Sequence, residues 1–468
     1  MKNRHCAIAQ CVLPGLLLMG FFNACTLLPK RSAGGSRDHT FIAYWPPPEN
    51  SQQLRLAVKD NIDMKGVVTT AGSEYVAKTS PPASRDAGCL AIARERNVHI
   101  VGKANLSEFA VSPSGINEYF GTPKSPFSKW WLRFIPGGSS SGSAAAITNG
   151  MADVAFGTDT GGSVRTPAAC SGIVGLKTTF GLVPIKGVFP ISPKYLDTVG
   201  PMAKDIAGVV QGMDLLQEGF AARYQAAVAA RPSAKDIKVG RLFLGGPDPG
   251  SLVLGVTDPG SLVLGVTDLR NLFLGVMDPR RLFLGGTDPR IDKAVDEVLA
   301  QRQFQVTRLD QDFKAKWLQA QKDANIVAAS GAWISEHKYQ YKLGISARTK
   351  TVILLGGILY RMEYRKALQR QAEWQRTLGQ VFQKVDFIAL PTLQTLPLTI
   401  PLANTALLEA RVLALQNTSA VNFAGNPALV IPIPVRHARV PVTSLQLVGP
   451  RLSEAELLNA GRLIESKH

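Results

Sequence analysis

The chain has 468 residues, 45% of them hydrophobic, with 43 glycines, 30 prolines and a formal net charge of +17. This composition is ordinary for a globular enzyme, and no stretch after the N-terminus holds the roughly 20 apolar residues that a membrane span needs. The basic residues are scattered rather than clustered in runs, so we predict no nucleic-acid partner.

The N-terminus has the pattern of an export signal. Two basic residues precede a mostly apolar stretch over 11–22, and Asn-Ala-Cys follows, ending at Cys25. This junction resembles a bacterial lipoprotein cleavage site and predicts a signal peptide over 1–24 with a lipid attached to Cys25. Residues 25–52 are rich in Pro, Gly, Ser and Arg and are predicted to be a lipid-anchored tether in the cell envelope. An uncleaved N-terminal membrane anchor is the alternative.

After such processing only Cys89 and Cys170 would remain of the five cysteines. Two thiols make no disulfide framework, and no CxxC motif or close His/Cys cluster suggests a zinc site. We therefore predict neither a structural metal nor a cofactor.

Short β-like runs alternate with helical segments from Leu54 onward, which predicts an α/β fold with a sheet covered by helices. The predicted strands are 54–58, 99–102, 154–156, 387–390, 428–433 and 444–448. The predicted helices are 89–95, 144–149, 203–217, 291–303 and 360–381. One domain over 53–468 is the expected organisation.

Five tandem decapeptides occupy residues 241–290: RLFLGGPDPG, SLVLGVTDPG, SLVLGVTDLR, NLFLGVMDPR and RLFLGGTDPR. Each joins a short apolar run to a turn of the Gly and Asp-Pro type. The near identity of the second and third copies favours duplication of a surface loop unit. A small stacked β-repeat that contacts a partner is the alternative.

The most informative stretch for chemistry is 136–178. Two Gly/Ser loops, at 137–143 and 160–163, are separated by an Ala-rich helix-like segment and a strand-like one. Glycines lack a Cβ atom, so consecutive backbone N–H groups can turn toward one point, as an oxyanion requires. Flexible linkers are not usually interleaved with such apolar segments, and we therefore interpret the two loops as a catalytic site.

This stretch, together with AVKDNIDMKGVVTTAGS at 57–73, resembles the amidase-signature family. The similarity continues through DTVGPM at 197–202, VDFIALPT at 385–392, NFAGNPAL at 422–429 and LQLVGP at 445–450. It covers most of the chain outside the first 50 residues and the decapeptide array. The resemblance implies a single α/β domain with a mixed central β-sheet covered by helices on both faces.

The resemblance also implies a catalytic triad: Ser163 as nucleophile, Ser139 after a cis peptide bond as proton relay, and Lys59 as base. The separation of 24 residues between the two serines matches the family pattern. Lys59 ends an apolar run, and burial there would favour its neutral form. The implied oxyanion hole consists of the backbone N–H groups of Thr160, Gly161, Gly162 and Ser163. The implied supporting residues are Asp159, Arg165 and Ser140.

The implied reaction is hydrolysis of a small-molecule carboxylic amide through an acyl-enzyme. Three alternatives remain. Residues 138–142 also satisfy the G-x-S-x-G pattern of a nucleophile elbow, which would use Ser140 with His337 or His437. The protein could be a catalytically silent envelope lipoprotein. It could also be the amidase-like subunit of a tRNA-dependent amidotransferase. The sequence does not specify the oligomeric state or the amide.

Overall fold

The computed structural model describes residues 35–36, 38–244, 288–401 and 405–465, and within these residues eleven strands form one mixed sheet. The strands are β1 Phe41–Tyr44, β2 Arg55–Lys59, β3 His99–Ala104, β4 Val154–Asp159, β5 Val174–Lys177, β6 Thr198–Ala203, β7 Lys238–Arg241, β8 Gln305–Arg308, β9 Phe387–Pro391, β10 Ala428–Pro434 and β11 Val442–Val448. Their spatial order is β1-β3-β2-β4-β6-β5-β10-β11-β9-β7-β8. The pairs β2/β3, β2/β4, β7/β8 and β7/β9 are parallel, and the other pairs are antiparallel.

Helices connect and cover the strands. Those in the described residues are α1 Glu74–Thr79, α2 Ala91–Glu95, α3 Ser141–Thr148, α4 Arg165–Ser171, α5 Ile206–Asp214, α6 Phe220–Ala230, α7 Pro289–Gln301, α8 Gln311–Glu336, α9 Ala347–Met362, α10 Tyr364–Phe382, α11 Thr405–Leu415, α12 Ser419–Ala424 and α13 Glu454–Ile464.

The side chains of the central strands alternate between two hydrophobic cores, as the two-residue period of a strand requires. In β4, Val154 and Phe156 pack with α5 and α13, whereas Ala155 faces the opposite side. On that side Ala144 of α3 and Ala168 of α4 pack closely against the sheet. The expected fold class, a mixed sheet with helices on both faces, is confirmed.

The predicted strands lie where strands are found, but β1 and β5 to β8 were not predicted as strands, and several helices also differ from the prediction. Residues 41–44, placed in the tether, form edge strand β1, because Phe41 and Ile42 are buried and β1 pairs with β3. The helix predicted over 203–217 begins only at Ile206, since the Asp205 side chain caps it by accepting from the Gly208 N–H. The helix predicted over 360–381 is two helices that meet at Glu363. The 26-residue helix α8 was not predicted.

Several sequence predictions fall outside the described residues. These are the signal peptide over 1–24, the lipid site Cys25, and the array between residues 245 and 287. Only the two ends of the array are described: Arg241 closes β7, and Pro289 begins α7.

The sheet brings the two Gly/Ser loops to one edge. Strands β2 and β4 are adjacent and parallel, with Val58 opposite Phe156, so both end at the same edge of the sheet. Lys59 is the last residue of β2 and Asp159 the last of β4. Helices α3 and α4 begin just after the Ser139 loop and the Ser163 loop. The sheet topology therefore brings Lys59 and the two Gly/Ser loops together, as a catalytic site formed by these segments requires.

Candidate active site

Lys59 lies at the end of β2 with its side chain fully buried. Its Nζ atom is 2.8 Å from Ser139 Oγ and 2.8 Å from Thr158 Oγ1. Burial lowers the pKa of Lys59 to about 7, although the carboxylates of Asp159 and Asp197 act to raise it. A large fraction of the amine is therefore neutral near pH 7 and able to accept a proton.

Thr158 fixes the direction of the Lys59 amine. Its hydroxyl oxygen accepts from Lys59 Nζ and, at 3.0 Å, from Asn61 Nδ2. A second, longer contact of 3.5 Å joins Lys59 Nζ to the Thr158 carbonyl oxygen. A neutral amine has two N–H groups and one lone pair. Two of the three oxygens around Lys59 Nζ therefore belong to Thr158, and the third is the Ser139 hydroxyl. A neutral Lys59 that donates both N–H groups to Thr158 has its lone pair free to accept the Ser139 proton.

Ser139 follows a cis peptide bond after Gly138 and is buried. The loop is held from two sides, since Gly138 N–H donates to the Pro113 carbonyl and Ser107 N–H donates to the Ser139 carbonyl. Gly138 lies so close to the backbone of Gly115 that a Cβ atom there would approach the Gly115 nitrogen to 2.5 Å. Close backbone packing therefore requires glycine at this position.

Ser163 lies in the turn between β4 and α4 and is partly exposed, unlike Ser139. Its carbonyl oxygen accepts from Ser140 N–H at 3.2 Å, which ties the two Gly/Ser loops together. Within the described residues no hydrogen bond joins the Ser163 hydroxyl to another group. The structure thus joins Lys59 directly to Ser139 and leaves the Ser163 hydroxyl open to solvent and to an incoming substrate.

The four predicted oxyanion donors are not equivalent. Gly162 N–H donates to Asp159 Oδ1 at 2.8 Å and is already used. The N–H groups of Gly161 and Ser163 have no acceptor in the described part of the chain. The Thr160 side chain points elsewhere, because its hydroxyl donates to Asp197 Oδ1 at 2.7 Å.

Asp159 and Arg165 form a buried ion pair beneath this turn, with Arg165 Nε and Nη2 each 3.0 Å from a carboxylate oxygen. Burial alone would raise the pKa of Asp159, but Arg165 lowers it well below its usual range. The carboxylate also accepts from the N–H of Val164 at 3.1 Å. A charged, fully bonded Asp159 therefore shapes the turn that carries Ser163.

Residues from distant segments of the chain also bind the Asp159–Arg165 ion pair, and together these contacts form a brace beneath the Ser163 turn. Arg165 Nη1 donates to the Thr418 carbonyl at 2.9 Å and to Gln446 Oε1 at 2.8 Å, and Asn422 Nδ2 donates to Asp159 Oδ1 at 2.8 Å. Asn422 and Gln446 lie in stretches that carry the family resemblance, but nothing in the sequence indicated their partners. Thr158 and Asp197 likewise lie inside recognised motifs without an assigned role. Thr418 had no signal at all.

The arrangement around Ser140 does not favour a nucleophile elbow. Ser140 is buried, and its hydroxyl donates to the Thr158 carbonyl at 3.4 Å. The ring of His337 contacts the Trp333 carbonyl on its own helix, and the His437 carbonyl accepts from Arg290 on the surface. Neither histidine is hydrogen-bonded to Ser140.

Comparison with known proteins identifies the family. The Amidase family profile matches residues 54–242 and 307–458. A glutamyl-tRNA(Gln) amidotransferase subunit from Halobacterium salinarum is 31% identical over 436 residues, covering 88% of this chain and 94% of the relative. A 2-amino-5-chloromuconic acid deaminase from Comamonas testosteroni is 30% identical over 425 residues, covering 88% and 81%. The solved structure of a glutamyl-tRNA(Gln) amidotransferase subunit from Thermotoga maritima shares the fold, with a TM-score of 0.67 at 24% identity, covering 91% and 86%. The chain belongs to the amidase-signature family.

These comparisons correct the predicted location. The sequence predicted an exported protein, lipid-anchored at Cys25 in the cell envelope, and this prediction is contradicted. The first relatives are subunits named for their action on glutamyl-tRNA(Gln). In the described residues no helix is both long and apolar enough to cross a membrane.

Proposed function

We propose that this amidase-family protein cleaves a carboxylic amide through an acyl-enzyme on Ser163, with Ser139 as proton relay and Lys59 as base. The observation that carries the proposal is the 2.8 Å contact between Lys59 Nζ and Ser139 Oγ in a buried site. Burial there lowers the pKa of the lysine to about 7. A base poised near the working pH is the most effective one.

In the proposed reaction a proton moves from Ser163 through Ser139 to Lys59 and back to the leaving group. Ser163 Oγ attacks the amide carbon, its proton passes to Ser139 Oγ, and the Ser139 proton passes to the lone pair of Lys59. Collapse of the tetrahedral intermediate breaks the C–N bond, and the proton returns by the same path to the departing nitrogen. Water then attacks the ester on Ser163 and repeats the sequence, releasing the acid. The Ser163 hydroxyl must turn toward Ser139 when substrate binds, as catalytic hydrogen bonds often tighten only in the complex.

The oxyanion of the intermediate is stabilised by backbone N–H groups. The N–H groups of Thr160, Gly161 and Ser163 are the available donors, because Gly162 N–H is engaged by Asp159. Gly161 also has open space at its Cβ position, so a substrate carbonyl can approach its backbone closely. Removal of one such donor typically costs about 10² to 10³ in kcat.

A second candidate concerns the substrate. Relatives that are 31% and 32% identical and are covered over 94% of their length are named as glutamyl-tRNA(Gln) amidotransferase subunits. In that role the cleaved amide would be that of a donor such as glutamine, and the ammonia would pass to an acceptor held by partner subunits. The similarity to these relatives over 88% and 87% of this chain favours this candidate over a free hydrolase of small amides.

Ammonia release tests the proposal and separates the two substrates. The purified protein is assayed with glutamine and with aliphatic, aromatic and peptide amides, beside a Ser163→Ala variant. Ammonia from glutamine that disappears in the variant supports the amidotransferase role. Hydrolysis of other amides with none of glutamine supports a free amidase. Turnover by Ser163→Ala equal to that of the parent would contradict the proposed chemistry for either substrate.

A further inference from the structure

Asp197 lies just before β6 and joins two loops around the active site. Its Oδ1 atom accepts from the Thr160 hydroxyl at 2.7 Å. The carboxylate also accepts from the N–H groups of Ile191 and Ser192, at 2.9 and 3.0 Å. Three donors therefore fix this buried carboxylate, and one of them belongs to the turn that carries Ser163.

Asp197 also acts on Lys59 through its charge. Asp159 and Asp197 are the two carboxylates whose negative charge opposes the effect of burial on the pKa of Lys59. Asp159 is neutralised by its ion pair with Arg165. Among the described residues Asp197 has no ion pair within 4 Å, so its charge is the less compensated of the two.

The other titratable groups near Asp197 are acids. Glu336, at the end of α8, is fully buried, and neither carboxyl oxygen has a hydrogen-bond partner in the described residues. Burial, together with Asp197 and Glu108, raises the pKa of Glu336 well above its usual value, although Lys338 acts to lower it. Burial also raises the pKa of Asp197, but its three hydrogen-bond donors and the charge of Lys59 act to lower it. Glu336 has no such donors among the described residues, so of the two carboxyl groups Asp197 is the better stabilised as an anion.

We propose that Asp197 is a positioning residue for amide cleavage, which holds the Thr160–Ser163 turn through the Thr160 hydroxyl and supplies the negative charge that acts on Lys59. This inference rests on the proposed function. Asp197 would thus have two effects. Its hydrogen bond to Thr160 orients the turn that carries Ser163, and its charge influences the protonation of Lys59.

Two variants isolate the two effects. Asp197→Asn keeps an oxygen that accepts from Thr160 and Ser192 but loses the charge, together with the oxygen that accepts from the Ile191 N–H. Without that charge the pKa of Lys59 falls, so the acid limb of the pH profile, where activity is lost as Lys59 becomes protonated, moves to lower pH. Thr160→Val keeps the charge and loses the hydrogen bond, so the rate falls by at least about tenfold with an unmoved acid limb. Thr160→Ser restores the hydroxyl and the rate.

The measurement is the second-order rate of labelling by a serine-reactive fluorophosphonate, recorded from pH 5 to 10 for each variant. It needs no knowledge of the natural substrate. Asp323→Asn is the matched control: Asp323 is a buried carboxylate that pairs with Arg370 at 2.5 Å on the α8–α10 interface. This control should lose thermal stability and keep the parent pH profile.

The inference is overturned if Asp197→Asn and Thr160→Val both label at the parent rate with the parent pH profile. If Asp197→Asn does not fold, Thr160→Val and its rescue by Thr160→Ser still decide the role of the hydrogen bond, and failure of the rescue counts against it. Labelling that persists in Ser163→Ala would instead remove the proposed function itself. The two failures are therefore distinguishable.

Discussion

Lys59 carries its amine into a part of the protein that water does not reach, and its contacts suit the uncharged form. Thr158 offers two acceptor oxygens to the two N–H groups of a neutral amine, and the Ser139 hydroxyl is the third oxygen in contact with Nζ. A buried ammonium group would be costly unless a carboxylate paired with it directly. In the described residues no carboxylate lies within 4 Å of Lys59 Nζ, so this environment favours the neutral lysine that the proposed mechanism uses as its base.

The pH dependence of activity follows from this environment. Because Lys59 has a pKa of about 7 and must be neutral to act, the labelling rate of Ser163 should fall as pH drops through 7 and persist toward alkaline pH. Lys59→Ala should reduce the rate by about 10² to 10⁴ and flatten the acid limb. Measuring the fluorophosphonate labelling rate against pH checks both effects.

Lys177 provides the matched control. Burial also lowers its pKa to about 7, but its Nζ atom donates to the carbonyls of Thr178 and Asn426, away from Ser139. Lys177→Met should therefore keep the acid limb. If the acid limb disappeared in Lys177→Met and survived in Lys59→Ala, the base would be Lys177 and the role proposed for Lys59 would be wrong.

The burial of Lys59 should also make the free energy of unfolding depend on pH. The pKa of Lys59 is about 7 in the folded state and 10.5 as the ordinary value, so the unfolded chain binds more protons between these values. The cost of burying Lys59 is thus complete below pH 7 and vanishes as pH rises to 10.5. Lys59→Met should raise the melting temperature relative to the parent by several degrees more at pH 6.5 than at pH 10.5. A difference that is independent of pH would contradict the lowered pKa.

The motif residues could be predicted because they are close in sequence or lie in stretches that resemble the family. Lys59, Ser139 and Ser163 are such residues, and the structure links the first two. The partners Thr158 and Asp197 could not be assigned, since their roles depend on which strand lies beside β2 and which loop faces the turn after β4. A hydrogen bond of one side chain to another across the sheet leaves no pattern in the sequence.

At the scale of an element, the turn between β4 and α4 depends on one of its two glycines. Gly162 has φ = 136°, and a Cβ atom there would lie 2.3 Å from Thr418 Oγ1. Gly162→Ala should destabilise the protein by about 1 to 3 kcal/mol and slow labelling of Ser163. Gly161→Ala, where no atom lies within 4 Å, should leave the melting temperature nearly unchanged. Equal melting temperatures for both variants would show that the turn adapts without cost.

We propose that the decapeptide array is an insertion between β7 and α7 that the chemistry does not need. Arg241 of the first copy is buried and pairs with Asp292 and Asp296 of α7, with its Nε atom 2.7 Å from Asp296. Asp288 of the last copy caps α7, and Leu244 and Asp288 line the same small cavity. The described ends therefore make up most of one repeat unit, RLFL and DPR, in contact with each other.

Deleting residues 241–280 places the last copy, RLFLGGTDPR, directly after Gly240. Arg281 then takes the position of Arg241, so the variant should fold cooperatively and label at nearly the parent rate. Deleting 241–284 is the control, because it also removes the Arg and the apolar run. Loss of the buried ion pair should cost about 3 to 5 kcal/mol. Thermal unfolding and labelling measure both variants, and a folded but unreactive 241–280 deletion would show that the array contributes to the site.

Local signals predicted several elements, but neither the start of α5 nor the break between α9 and α10. Asp205 marks the start of α5, but the sequence prediction began the helix at Ala203, which belongs to β6. The break at Glu363 carries neither Gly nor Pro. There α10 changes direction to pack on α8, where Arg370 pairs with Asp323.

For the whole molecule, the sheet order places a brace from the last quarter of the chain beneath a site built from the first third. Strand β5 pairs with β10, and β10 with β11, which brings Gln446 to Arg165. Local sequence patterns predicted an α/β class but neither a mixed sheet nor this order, because most neighbouring strands are not consecutive in the chain. The resemblance to a family supplied the architecture that local patterns lacked.

The central claim is that Ser163 is the nucleophile, and the site of covalent labelling tests it most directly. The parent protein is treated with a fluorophosphonate, digested, and analysed by mass spectrometry to locate the modified residue. The account predicts one phosphonylated serine, Ser163, and no labelling of Ser163→Ala. Modification of Ser140 instead, or undiminished labelling of Ser163→Ala, would contradict it.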